Sequence, residues 1–262
     1  MPERLAGLVD SHAHLQHPRF DDDRDEVIQR ALDAGVERIM VPGWDIPSSE
    51  AALRLAARHP EVVHAAVGVH PHDAAPLDEA AWAQLESLAR TPGVRAIGEI
   101  GLDFFRNLSP PDVQRAAFAR QLSLAASLGL PVLVHDRDAH AEVTAALEAW
   151  PGRPGSSHRG VLHAFSGDAA MASRLSDAGF LISFALPVAF RSATGPRDAA
   201  TSLSDGRFLL ETDSPYLGPD RDRRNEPTTV LRVAAQLARL RETEAIELVE
   251  PVRAAYDALV TR

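Results

Sequence analysis

The sequence predicts an α/β fold, a single (β/α)8 TIM barrel with one extra C-terminal helix, on three observations. Short apolar runs alternate with longer stretches of helical periodicity along the whole chain. About eight such units follow one another, and a repeated strand–helix alternation builds a parallel sheet. The length, 262 residues, matches the roughly 250 residues of one such barrel.

The runs expected as strands are 7–10, 37–42, 62–70, 94–101, 131–135, 160–164, 179–184 and 207–212. Each is too short for a helix and rich in Val, Ile, Leu and Ala, as strands buried on both faces are. Between them lie amphipathic stretches. In 25–34, Val27, Ile28, Ala31 and Leu32 share one stripe, and in 114–128, Ala117, Phe118, Gln121, Leu122, Ala125 and Leu128 recur at three-and-four spacing. Segments 78–89, 139–150, 169–178 and 229–241 read the same way, and 245–262 reads as a last helix packed outside the barrel. Gly35, Gly129 and Gly179 stand where helices end and the next strand begins. The acidic run Asp21–Asp23 reads as a solvated helix start. Pro151–His158 (PGRPGSSH) reads as a surface loop, and no repeat or linker divides residues 1–262, so one domain is expected.

Composition narrows the chemistry. The chain is 45% hydrophobic and 24% charged, with no Cys, which suits an ordinary cytoplasmic enzyme and excludes disulfides and thiolate metal sites. Neither a signal peptide nor a membrane span of about 20 apolar residues is visible. All 27 basic residues are Arg, so Schiff-base chemistry, Walker-type phosphate binding and a carbamylated lysine are excluded. The net charge of −10 counts against tight duplex binding. Bound divalent cations can reverse the local sign in a cleft, so a phosphodiester substrate stays open.

Active-site groups of a barrel lie at the C-terminal ends of its strands, and several predicted strand ends carry metal-type ligands. The first run leads into Asp10-Ser11-His12-Ala13-His14, and residues i and i+2 of an extended segment share a face, so both imidazoles can address one ion. Glu99 stands in AIGEIGLD among small and apolar neighbours, where a carboxylate is costly unless paired or metal-bound. Two oxygens let it bridge two ions. His135 follows PVLV, His163 follows GVL, and Asp213 ends RFLLETD. Four His and two carboxylates thus converge from five strands. Mixed nitrogen and oxygen donors suit two divalent ions of the Mg2+, Mn2+ or Zn2+ type.

These segments carry a resemblance to the TatD family of metal-dependent deoxyribonucleases. The matching stretches are LVDSHAHL (8–15), GVHPH (68–72), AIGEIGLDFFR (96–106), LPVLVHDRDA (130–139), VLHAFSG (161–167), LLETDSPYL (209–217) and RRNEP (223–227). Seven motifs in family order, spanning about residue 8 to 240, are far more specific than any one alone. The resemblance implies one metal held by His12, His14, Glu99 and Asp213, with Glu99 bridging to a second held by His135 and His163. It also implies the amidohydrolase-like TIM barrel. Many relatives in that superfamily bridge with a carbamylated Lys, which Glu99 replaces here. Ala13 and Ala164 stand where relatives often carry Cys, and PVRAAYDALVTR lacks the Asn and Leu-Phe pair usual in the last helix.

The expected activity is metal-assisted hydrolysis of DNA phosphodiesters, as a 3′-exonuclease acting on single strands or ends. Asp213 and Glu99 are the catalytic carboxylates, with Asp213 orienting the attacking water and accepting its proton. Glu211 is expected to fix a His ligand from behind. Arg106, Arg137 and Arg191 are candidate phosphate contacts, because guanidinium reads phosphate bidentately, and His70 and His72 are candidate rim or phosphate contacts. An acidic protein with a narrow barrel mouth favours unpaired nucleotides over intact duplex. No obligate protein partner is evident. The rival readings are an amidohydrolase acting on a small amide or ester, since fold does not fix function, and a metal-binding scaffold without activity.

Overall fold

In a computed structural model of the chain, described for residues 4–75, 77–153, 158–220 and 222–261, eight strands form one sheet in sequence order. They are β1 (Leu8–Asp10), β2 (Val36–Pro42), β3 (Val63–Val67), β4 (Val94–Asp103), β5 (Val132–Arg137), β6 (Gly160–Leu162), β7 (Phe180–Phe184) and β8 (Phe208–Leu210). Every neighbouring pair is parallel. The seam between β1 and β8 is joined just beyond the strand ends. There Ser11 N donates to Leu210 O at 2.9 Å, Asp213 N to His12 O at 2.8 Å and His14 N to Ser214 O at 2.6 Å. Asp10 adds a buried side-chain clasp, accepting from Thr212 N at 2.9 Å and Thr212 Oγ1 at 2.6 Å.

The TIM barrel read from the sequence is the fold found, and its elements follow from simple rules. β1, β6, β7 and β8 are buried along their whole length, as strands with a barrel core on one side and helices on the other must be. The helices are α1 (Arg24–Asp33), α2 (Ile46–Arg58), α3 (Glu79–Ala89), α4 (Pro111–Leu128), α5 (His140–Ala149), α6 (Ala169–Asp177), α7 (Thr194–Ser202), α8 (Val230–Arg241) and α9 (Ala245–Val260). Asp45, Asp78 and Asp168 cap α2, α3 and α6 by accepting from the third backbone N–H of each. Gly129 ends α4 in the left-handed conformation, φ 63°. The acidic run Asp21–Asp23 directly precedes α1, and Asp23 pairs with Arg30 and Arg224.

Differences from the sequence reading are local. β3 stops at Val67 rather than 70, and β5 continues past His135 to Arg137. Helices α2 and α7 lie outside the helical segments read from the sequence. The first turn of α2 is Ile-Pro-Ser-Ser and α7 contains Gly195 and Pro196, residues that favour caps and turns over helix interiors. Tertiary packing decides both. In the loop expected at 151–158, residues 154–157 lie outside those described, as does Arg262, the last residue of the segment 245–262 expected as a helix.

The atypical last helix is well packed. Leu248, Val249, Val252, Ala255, Tyr256, Leu259 and Val260 of α9 are buried. Tyr256, fully enclosed, places its hydroxyl 2.8 Å from His64 Nδ1 on β3 and stacks on that ring with centroids 5.6 Å apart. An aromatic anchor thus fastens this helix to the barrel.

Two glycines of β4, Gly98 and Gly101, let it lie close against β5, and Gly101 is the tighter. Gly101 adopts φ +142°, and a Cβ there would lie 2.0 Å from the carbonyl oxygen of His135. Gly101→Ala is therefore expected to lower unfolding free energy by about 2–4 kcal/mol. Urea denaturation checks this, and an unchanged midpoint would refute it.

Candidate metal centre

The barrel's C-terminal mouth gathers the six residues expected as ligands. His12 and His14 follow β1, Glu99 lies within β4, His135 within β5, His163 follows β6, and Asp213 follows β8. Their convergence is a property of closure, because residues just past parallel strands of one barrel face one opening.

Glu99 is at the middle, 3% exposed, and its two oxygens face two different groups. Oε2 lies 3.4 Å from His12 Nε2 and 3.5 Å from His14 Nε2. Oε1 lies 3.0 Å from His135 Nδ1, 3.0 Å from His163 Nε2 and 3.4 Å from His70 Nε2. Asp213 Oδ1 approaches the Oε2 side, 3.9 Å from His12 Nε2 and 3.6 Å from His14 Nε2. Within this cluster, His12, His14 and Glu99 form one trio with mutually close donor atoms. Two more are His12, His163 and Asp213, and His70, Glu99 and His135.

The donor set fits divalent cations, and the far side of the rings shows it best. His14 Nδ1 lies 3.2 Å from Pro42 O, His163 Nδ1 lies 3.2 Å from Glu211 Oε1, and His135 Nε2 lies 3.3 Å from Asp103 Oδ2. In each case an N–H donates outward to an oxygen, which leaves the nitrogen facing Glu99 with its lone pair free. That tautomer is the one a metal ligand requires.

Electrostatics agree. Burial pushes the Glu99 carboxyl up, but His163, then His70 and His12, override it and hold it well below the usual carboxylate range. Burial opposes a charge on His163, yet Glu99 and Glu211 raise its pKa well above the ordinary imidazole value. Without a cation, then, the cluster draws a proton onto His163. Burial lowers His12 to about 4 and His70 to about 3, so both are neutral at pH 7. Burial also raises Asp213 to about 6, partly offset by His163 and His14.

The surrounding cavity measures about 500 Å3 and is lined by His14, Glu99, His135, His163 and Asp213 of the cluster together with Arg106, Arg137 and His72, while His12 lies buried beneath it. Arg106 and Arg137 have no carboxylate partner among the described residues; the Arg137 guanidinium instead lies 4.0 Å from the ring centre of Phe105. Arg191, exposed before α7, does not line this cavity. His70, expected at the rim, stands within ligand reach of Glu99 and His135. Glu211 occupies the position expected of it, fully buried behind His163 and also accepting from Ala164 N at 2.6 Å.

Sequence reasoning missed Asp103, which accepts from His72 Nε2 at 2.7 Å as well as from His135 and from Arg106 N at 2.7 Å. A signal was present, since Asp103 stands four residues after Glu99 on one strand, where alternate residues share a face. Trp44, His17 and Tyr216, which also line the cavity, were missed because they sit on loops.

Known proteins match the chain over almost its full length. It is 38% identical over 237 residues to the uncharacterized metal-dependent hydrolase YabD of Bacillus subtilis, covering 90% of this chain and 91% of that protein. It is 39% identical over 246 residues to the 3′-5′ ssDNA/RNA exonuclease TatD of Edwardsiella piscicida, covering 91% and 93%. The crystal structure of YjjV, a TatD homolog from Escherichia coli, superposes with a TM-score of 0.89 at 30% identity, covering 98% of each chain. A sequence model of the family described as TatD related DNase matches residues 9–260, and the chain belongs to that family.

Proposed function

We propose that this protein is a 3′-5′ exonuclease that hydrolyses single-stranded DNA ends with two divalent ions of the Mg2+, Mn2+ or Zn2+ type. The observation that carries the reading is Glu99, a buried carboxylate with one oxygen turned to His12 and His14 and the other to His135 and His163. His12, His14, Glu99 and Asp213 would hold one ion, and Glu99, His135 and His163 the other. The chain has no Lys, so Glu99 is the bridging group that remains. Ions bound there supply Lewis acidity and a water of lowered pKa.

The chain's own residues do the rest. Asp213 Oδ1 orients the attacking water and accepts its proton. Glu211 and Asp103 hold His163 and His135 in the ligand tautomer. Arg106 and Arg137, free of carboxylate partners among the described residues, contact the phosphates flanking the scissile bond. His70 shapes the Glu99 Oε1 side of the substrate pocket. A cavity of about 500 Å3 has room for a nucleotide rather than a duplex, and the net charge of −10 disfavours grip on duplex backbone. Relatives named as TatD exonucleases acting on ssDNA and RNA support the same substrate class.

No helix among the described residues is long and apolar enough to cross a membrane. The proposal places the enzyme in the cytoplasm and takes residues 1–262 as one barrel domain, since all eight strands join one sheet.

The test uses metal-stripped protein, resupplied with Mg2+, Mn2+ or Zn2+, on a 5′-labelled single-stranded oligonucleotide. A metal-dependent ladder shortened from the 3′ end is expected. Protein that binds two ions yet cuts no oligonucleotide would overturn the reading and favour hydrolysis of a small amide or ester.

A further inference from the structure

Three aromatic side chains beside the cluster play no part in the chemistry above. Trp44 follows β2, His17 follows the His12/His14 segment, and Tyr216 follows Asp213. The Trp44 and Tyr216 rings each contact both histidines. Trp44 lies 5.4 Å from His14 and 5.8 Å from His17, and Tyr216 lies 6.1 Å and 5.8 Å from the same rings. His14 belongs to the Glu99 Oε2 side of the cluster, so the aromatic group begins one ring's distance from the carboxylates. Tyr216 is 47% exposed, so part of its ring is open to a ligand.

The backbone under these rings is fixed. Trp44 N donates to Ser48 Oγ at 2.9 Å, and Trp44 O accepts from His70 N at 2.8 Å. The loop bearing Tyr216 is braced from behind by Asn225, whose Nδ2 donates to Thr212 O at 2.8 Å and whose N donates to Pro215 O at 3.1 Å. That gives the RRNEP segment a role, to hold the Tyr216 loop against the mouth. His17 Nδ1 accepts from Arg19 N at 3.1 Å, so its neutral ring carries the proton on Nε2, as a donor.

Rigid, partly exposed aromatic rings beside a phosphodiester-cleaving centre match how proteins hold unpaired bases, by stacking, without regard to sequence. We propose that Trp44, His17 and Tyr216 form a nucleobase-stacking subsite, which holds the unpaired base of the 3′-terminal nucleotide while its phosphate lies at the Glu99–Asp213 cluster. The inference rests on the exonuclease reading and adds the reason for single-strand selectivity: a base held in a duplex cannot lie against these rings while its phosphate reaches the cluster.

The experiment compares two single-stranded oligonucleotides, identical except that one lacks the base of its 3′-terminal nucleotide. First-turnover kcat/KM is measured with each for wild type, Trp44→Leu, Tyr216→Leu and Tyr216→Phe, in the metal that supports cleavage. Wild type is expected to prefer the intact end by about tenfold. That ratio should fall toward one in Trp44→Leu and Tyr216→Leu and persist in Tyr216→Phe, which keeps the ring. A ratio within one protein is insensitive to partial loss of folded enzyme. A wild type indifferent to the missing base, or Leu variants that keep the preference, would overturn the subsite while leaving the exonuclease reading intact. A wild type that cuts neither oligonucleotide would overturn both.

Discussion

Glu99→Gln is expected to abolish metal uptake on both sides of the centre and to lower kcat/KM on single-stranded DNA by about 10^3-fold or more. Gln matches Glu in size, so the packing around this buried position is kept. What is lost is the charge that Oε2 presents to His12 and His14 and Oε1 to His135 and His163. A ligand that binds only the folded state raises its melting temperature. Wild type should therefore melt higher with added Mn2+, and Glu99→Gln should show little shift. In the metal-free variant, His163 loses one of the two carboxylates that raise its pKa, so its titration should move down toward the ordinary imidazole value. A variant with an undiminished Mn2+ shift would sink the bridging assignment.

Asp213→Asn should separate chemistry from binding. Asp213 is the most open carboxylate of the cluster, with 13% of its side chain exposed against 4% for Glu99. It is therefore the one placed to touch a water. Asn keeps the shape and an acceptor oxygen but cannot take a proton at neutral pH. Loss of a general base costs about 10^2–10^4-fold, and that loss is expected in kcat, with KM little changed. Elemental analysis should still find metal on the side held by Glu99, His135 and His163. If KM rises instead while kcat holds, Asp213 binds substrate and another group takes the proton.

The residues of the mouth differ in how plainly the sequence shows them. His12 and His14 announce themselves by i,i+2 spacing after an apolar run, and Glu99 by a charge set among Gly and Ile. Such signals are local, and they survive because strand periodicity is local. Asp103 shows the opposite case. Its value comes from touching His72 and His135 at once, and those partners lie on segments 31 and 32 residues distant in sequence. His70 is similar, since only the pairing of β3 with β4 brings it to Glu99 Oε1. Helices α2 and α7 were hidden for a related reason. Asp45 and Ser48 do form a capping box at the start of α2, but the turn-favouring Pro and Ser of its first turn and the Gly-Pro of α7 mask the helical pattern, and packing against neighbouring strands and helices decides both.

By itself the sequence determined the order of the strands and of every helix but α2 and α7, the barrel they close into, and the six side chains at its mouth, because alternation and chain length restrict an α/β chain to few topologies. Only the tertiary structure decided that Glu99 turns one oxygen to each histidine pair, that Glu211 and Asp103 set the tautomers, and that Trp44 and Tyr216 flank His14 and His17. Those facts depend on angles and distances between residues far apart in the chain, and no one-dimensional pattern carries them.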